Sequence, residues 1–116
     1  MTIKRLHSGA RMSQAVIYNG LAYLAGQVAK DADTDVADQT RQILATIDAL
    51  LAEAGSDKTR ILTATIYLVD MADFAAMNGI WDAWVVAGST PARATVEASL
   101  ATPKYKIEIM VVAALK

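Results

Sequence analysis

Beyond Pro91 the polar and apolar positions alternate. Arg93, Thr95, Glu97 and Ser99 fall on one side of an extended backbone and Ala94, Val96, Ala98 and Leu100 on the other, the period of two of a half-buried strand. After Thr102-Pro103 the alternation resumes, with Tyr105, Ile107, Ile109 and Val111 against Lys106, Glu108, Met110 and Val112, and then passes into continuous apolar sequence. That run predicts burial on both faces. A short turn at Thr102-Pro103 predicts antiparallel pairing of the two strands, with Glu108 opposite Glu97 and Arg93 about 13 Å further along at the usual strand rise. A buried charge must be paired or must bind something. Because Arg93 and Glu108 do not touch within such a hairpin, a pocket that uses both is either long or built where two copies of the chain meet.

Upstream, Ile3 to Leu6 predicts a short first strand. Ala15–Tyr18, Asn19-Gly20 and Leu21–Val28 read as strand, two-residue turn and strand, since Asn-Gly between apolar runs favours a tight hairpin. The polar stretch Lys30–Asp35 suits a loop whose Thr34 or Asp35 caps a helix. From Val36 to Ala54 the residues Ile43, Leu44, Ile47, Leu50, Leu51 and Ala54 recur at helical spacing, and Gly55 supplies the stop. Ile61–Val69, β-branched and aromatic, predicts a central strand closed by Asp70. A second helix from Met71 to Ala87 carries the stripe Phe74, Met77, Trp81, Trp84 and Val85, with Asn78 on or beside it and Gly88 as its stop. This order of elements gives an α+β fold, a mixed sheet of about six strands with two helices on one face.

Composition narrows the functional classes. The 116 residues suit a single domain over 1–116, and 54% hydrophobic against 20% charged residues excludes disorder. So much apolar material is hard to cover in a monomer, which makes self-association the expected outlet. A formal net charge of −1, with no basic run longer than Lys4-Arg5, argues against a nucleic-acid partner and gives no support to ribonuclease activity. No apolar stretch approaches the ~20 residues of a membrane span, so the expectation is a soluble cytoplasmic protein. The absence of cysteine removes thiolate catalysis and thiolate metal sites. His7 has no suitably spaced partners for metal binding, and the acidic Asp31, Asp33 and Asp35 lack the glycine and distal glutamate of a calcium loop.

Five short stretches together carry a family likeness: Ser13-Gln14-Ala15-Val16, Gly26-Gln27, Asp73-Phe74 with Asn78, Pro91-Ala92-Arg93, and Lys106-Ile107-Glu108-Ile109. Over nearly its whole length the chain resembles the YjgF/RidA family of enamine/imine deaminases. The resemblance implies a chorismate-mutase-like fold and a homotrimer whose sheets form an inner barrel, with sites between subunits. It also implies hydrolysis of 2-aminoacrylate and related imino acids to 2-keto acids and ammonia, without metal or organic cofactor. Carried over by position, Arg93 clamps the substrate carboxylate and Glu108 orients or activates water. Gly26 and Gln27 line the same pocket through backbone groups, and Asn78 lies at its edge.

Those roles are chemically sound, because a guanidinium fork matches a carboxylate with two parallel hydrogen bonds and a carboxylate can act as general base to water. Met12, Ala25 and Thr95 stand where many members carry Tyr, Ser or Thr, and Cys. These swaps remove hydrogen-bonding groups near the expected substrate and leave a more apolar pocket, which would tolerate a specialised catabolic intermediate such as an aminomuconate-like compound. Simpler readings stand beside these. Arg93 can pair with Glu97 on its own strand face, Glu108 with a neighbour's Lys104 or Lys106, and Asn78 can satisfy a backbone group. Trp81 and Trp84 suit core packing. A non-catalytic trimer that binds small carboxylates or a partner enzyme keeps Arg93 and has no need of Glu108.

Overall fold

The structure, a computed structural model, describes residues 2–116. Helix α1 spans Val36–Ala54, the bounds its periodicity predicts. Asp35 caps it, its Oδ1 accepting from the Asp38 N–H at 2.9 Å, and Gly55 ends it in the left-handed conformation at φ 89°. The stripe from Ile43 to Ala54 is buried. Gln39, wholly buried on the same helix, joins two loops: Nε2 donates to Ala32, Thr34 and Lys104 carbonyls, and Oε1 accepts from the Lys106 N–H.

Six strands form one sheet: β1 Lys4–Leu6, β2 Ala15–Tyr18, β3 Leu21–Leu24, β4 Ile61–Leu68, β5 Ala92–Glu97 and β6 Ile107–Ala114. Asn19 and Gly20 both have positive φ, 53° and 77°, as the tight β2–β3 hairpin requires. β3 is shorter than the apolar run that announces it; beyond Leu24 only Gln27 rejoins the sheet, bridging Ile109. The second helix also starts later and stops earlier than expected. A 3-10 turn over Met71–Asp73, capped by Asp70, leads into α2, Phe74–Trp84. Met77 and Trp81 are buried, while Phe74, expected in the core, is 39% exposed.

The expected hairpin between the last two strands does not form. The sheet order is β1-β2-β3-β6-β4-β5, so β5 and β6 flank β4 on opposite sides. β5 runs parallel to β4, reached through α2, and β6 runs antiparallel to it. The reason lies in β4 itself: Ile61, Ala64, Ile66 and Leu68 are buried on one face of a strand whose backbone needs partners at both edges. Glu108 is therefore level with Tyr67, and Glu97 with Leu68 on the other side of β4.

The sheet has one covered and one open face. Ala64, Ile66, Leu68, Ile107, Ile109, Val111 and Ala113 are buried in a common core with the α1 stripe, Met77 and Trp81. Burial of β6 on both faces is not found within the chain: Met110 is 39% exposed, and Tyr23 and Val96 on the same face are 44% and 41% exposed. β5 is turned so that its polar set, Arg93 and Thr95, shares the helix side with Ala64 and Ile66, leaving Ala92, Ala94 and Val96 on the open face.

Candidate functional site

Two groups of the expected site residues form, one on each face. On the helix side of edge strand β5, Arg93 lies under α2, its Cζ 5.3 Å from the centre of the Trp81 ring and 5.9 Å from that of Phe74. Phe74, Asn78 and Trp81 follow one another at i, i+4 and i+7, which puts them on one helix face. Asn78 Oδ1 and Thr95 Oγ1 are both buried without a hydrogen-bond partner. Buried polar atoms are normally satisfied, so these two are exceptions that a ligand or water would relieve.

Among the described residues none forms an ion pair with Arg93. The ion pairs among the described residues are His7 with Glu53 and Lys116 with Asp57. Pairing of Arg93 with Glu97 does not occur, since Glu97 Oε1 instead accepts from the Met71 N–H at 3.2 Å and holds the turn before α2. The guanidinium thus has aromatic faces beside it and no carboxylate within ion-pair distance.

The second group sits on the open face, where β3 ends. Glu108 lies against Gly26, whose missing side chain makes room for it: a β-carbon there would fall on Glu108 Oε2 and come within 2.8 Å of its Cδ. Gln27 is buried and fixes the local backbone, with N–H to the Ile109 carbonyl at 2.8 Å and carbonyl to the Ile109 N–H at 3.1 Å. Its Nε2 donates to Gln14 Oε1 and the Ala25 carbonyl. The backbone groups of Gln27 are therefore occupied by the sheet, and its contribution is to hold Gly26 and Ala25 in place. Met12, half exposed, lies in the β1–β2 connection beside a concavity of about 600 Å³ that His7, Arg11 and Gln14 also line and that includes neither Arg93 nor Glu108.

Arg93 and Glu108 point to opposite faces of one sheet. Register puts Arg93 level with Ala64 and Val111, and Glu108 three residues further along and two strands across, about 14 Å away by strand geometry. One protomer cannot bring both to one small ligand. The reading from sequence missed the aromatic neighbours of Arg93 and the position of Tyr67 beside Glu108 on the open face. The first follows from the parallel β4–β5 pairing, which a helix between two strands signals, and the second from the antiparallel β4–β6 pairing.

A six-stranded mixed sheet carrying two helices on one face defines an α+β protein, and solved structures of the same class confirm it. A member of the YjgF protein family from Neisseria meningitidis superposes with a TM-score of 0.97 at 52% identity, covering 100% of this chain and 97% of that one. A Rid-family protein from Yersinia pestis, YyfA, does so at 0.85 and 34% identity, covering 93% and 90%. By sequence, the RutC family protein YoaB of Escherichia coli is 54% identical over 99% of this chain and 100% of its own length. The RutC family protein of Haemophilus influenzae is 50% identical over 97% and 98%. The family model described as endoribonuclease L-PSP matches residues 2–115, and the chain belongs to this family, that of the YjgF, RutC and RidA proteins.

Proposed function

We propose that the protein is a hydrolytic deaminase of 2-aminoacrylate-like enamines and imines. The observation that carries this reading is the Arg93 guanidinium, unpaired by any carboxylate among the described residues, with two unsatisfied polar atoms, Asn78 Oδ1 and Thr95 Oγ1, on the helix and strand that hold it. A planar fork in that condition is suited to a carboxylate. Arg93 binds the acid group of the substrate, and Glu108 of a neighbouring copy orients a water at the C=N carbon. As the water attacks, Glu108 takes its proton, a carbinolamine forms, and the proton passes to nitrogen. Loss of ammonia then leaves the 2-keto acid. Imine hydrolysis has a low intrinsic barrier, so positioning and one acid/base group are enough.

The proposal includes a homotrimer with its sites between subunits and its work in the cytoplasm. The opposite facing of Arg93 and Glu108 supports the shared site, and the uncovered apolar face with Tyr23, Val96 and Met110 supports the assembly. Among the described residues no helix is long and apolar enough to cross a membrane. Ala25, beside Gly26 and without the hydroxyl that many members carry there, tolerates a bulkier substrate, which keeps an aminomuconate-like catabolic intermediate as a second reading.

The test is to generate imines in situ with an amino-acid oxidase and trap them with semicarbazide. The protein lowers semicarbazone formation, and Arg93→Ala does not, at unchanged assembly and thermal stability. Equal behaviour of wild type and variant identifies a carboxylate- or partner-binding trimer instead. Cleavage of RNA by the purified protein would favour the activity in the family's description, for which a net charge of −1 supplies no electrostatic footing.

A further inference from the structure

A guanidinium that pairs with a protein carboxylate spends the N–H donors it needs for a ligand. An aromatic ring attracts the same cation through its flat face and leaves the donors at the rim unused. Arg93 is in the second situation twice over, since both its ring distances, 5.3 Å to Trp81 and 5.9 Å to Phe74, are within cation–π reach. Trp81 is 5% exposed and packed on the Trp84 ring at 5.4 Å, so it forms a fixed wall. Phe74, two helical turns earlier on the same face, is 39% exposed.

We infer that Trp81 and Phe74 are positioning residues: two rings of α2 hold Arg93 in place without consuming its N–H donors, keeping the fork free for a substrate carboxylate. The inference rests on the reading of Arg93 as the carboxylate clamp. It assigns to the rings a task that core packing does not require, namely acid recognition. Phe74 is the residue to probe, because its exposure makes substitution tolerable to the fold.

The experiment titrates pyruvate, a 2-keto acid of the product class, and the neutral pyruvamide into the assembled wild type, Phe74→Leu, Phe74→Tyr and Arg93→Ala, with KM and kcat measured alongside. Phe74→Leu raises the pyruvate Kd and the KM about two- to fivefold, with kcat little changed and pyruvamide binding unaffected. Phe74→Tyr, which keeps the ring face, restores wild-type values. Should the leucine variant lose thermal stability, Phe74→Met repeats the test with a flexible ring-free side chain. Wild-type pyruvate affinity in Phe74→Leu, with Arg93→Ala unable to bind, overturns the aromatic role and leaves the clamp standing. Wild-type pyruvate affinity in Arg93→Ala overturns both.

Discussion

Glu108 occupies the space that a side chain at Gly26 would need. Its Oε2 and Cδ lie where a β-carbon of residue 26 would fall or touch, so the glycine fixes how the carboxylate stands on the open face of β6. Gly26→Ala must displace Glu108, because the opposing atoms are the carboxylate end of that side chain. The expected result is a fall in kcat of about tenfold or more, given the 10²–10⁴ that a general base typically supplies. Carboxylate affinity, which the proposed mechanism assigns to Arg93, stays near wild type, and steady-state kinetics with product titration separates the two.

Arg93→Lys keeps the positive charge and loses the planar fork. With no protein carboxylate near it to compensate, the variant is expected to raise KM for imino acids about tenfold or more, a change that a merely electrostatic role would not produce. Titration of a 2-keto acid against both proteins checks this.

Gln39 is a structural residue whose loss should be felt in stability. Its side chain satisfies carbonyls of Ala32, Thr34 and Lys104 and the N–H of Lys106 from a fully buried position. Gln39→Leu leaves those groups unpaired beside an apolar side chain and should cost about 2–4 kcal/mol. Urea unfolding at fixed protein concentration measures it.

Asp57 gives a sign-determined pH effect. The Thr59 hydroxyl and backbone N–H, followed by the nearby Lys116 ammonium, hold its carboxyl below the usual 3.8. A carboxyl lowered in the folded state adds stability above its unfolded pKa and loses it as pH falls through the folded one. Asp57→Asn is therefore expected to be less stable than wild type at neutral pH, with the gap closing below about pH 4. Thermal midpoints across the acid range show whether the two curves converge.

Met110→Asp places a charge in the middle of the open apolar face. If copies of the chain bury that face against one another, the substitution drives the solution mass toward that of one chain, and the proposed deaminase activity falls with it. Light scattering reads the mass directly, and an unchanged assembly would remove this face from the interface.

Local structure was legible in the sequence to different depths. Asp35, Gly55 and the α1 stripe could be read directly, because capping and helical periodicity act over a few residues. So could Asn19-Gly20, whose positive φ values belong to the residues themselves. The partner of β5 could not, because alternation in Arg93–Glu97 says that a strand exists and nothing about what lies beside it. The adjacency of Thr102-Pro103 suggested a turn, whereas residues 98–106 cross β4 to reach its other edge. Trp81 joins the core as its spacing predicts and Phe74 does not: spacing defines a helix face, and only the sheet order shows that Arg93 lies beneath it. Self-association was inferred from excess apolar content, and the fold shows where that excess is gathered.

The position of β6 bears on how the chain folds. This strand comes last in sequence yet fills the gap between β3 and β4, so the two halves of the sheet cannot join until it arrives. A nascent chain lacking Ile107–Ala114 leaves the facing edges of β3 and β4 raw and misses Ile107, Ile109, Val111 and Ala113 from the core. Such a species is aggregation-prone, and synthesis rather than local propensity sets the moment at which the protein can become native.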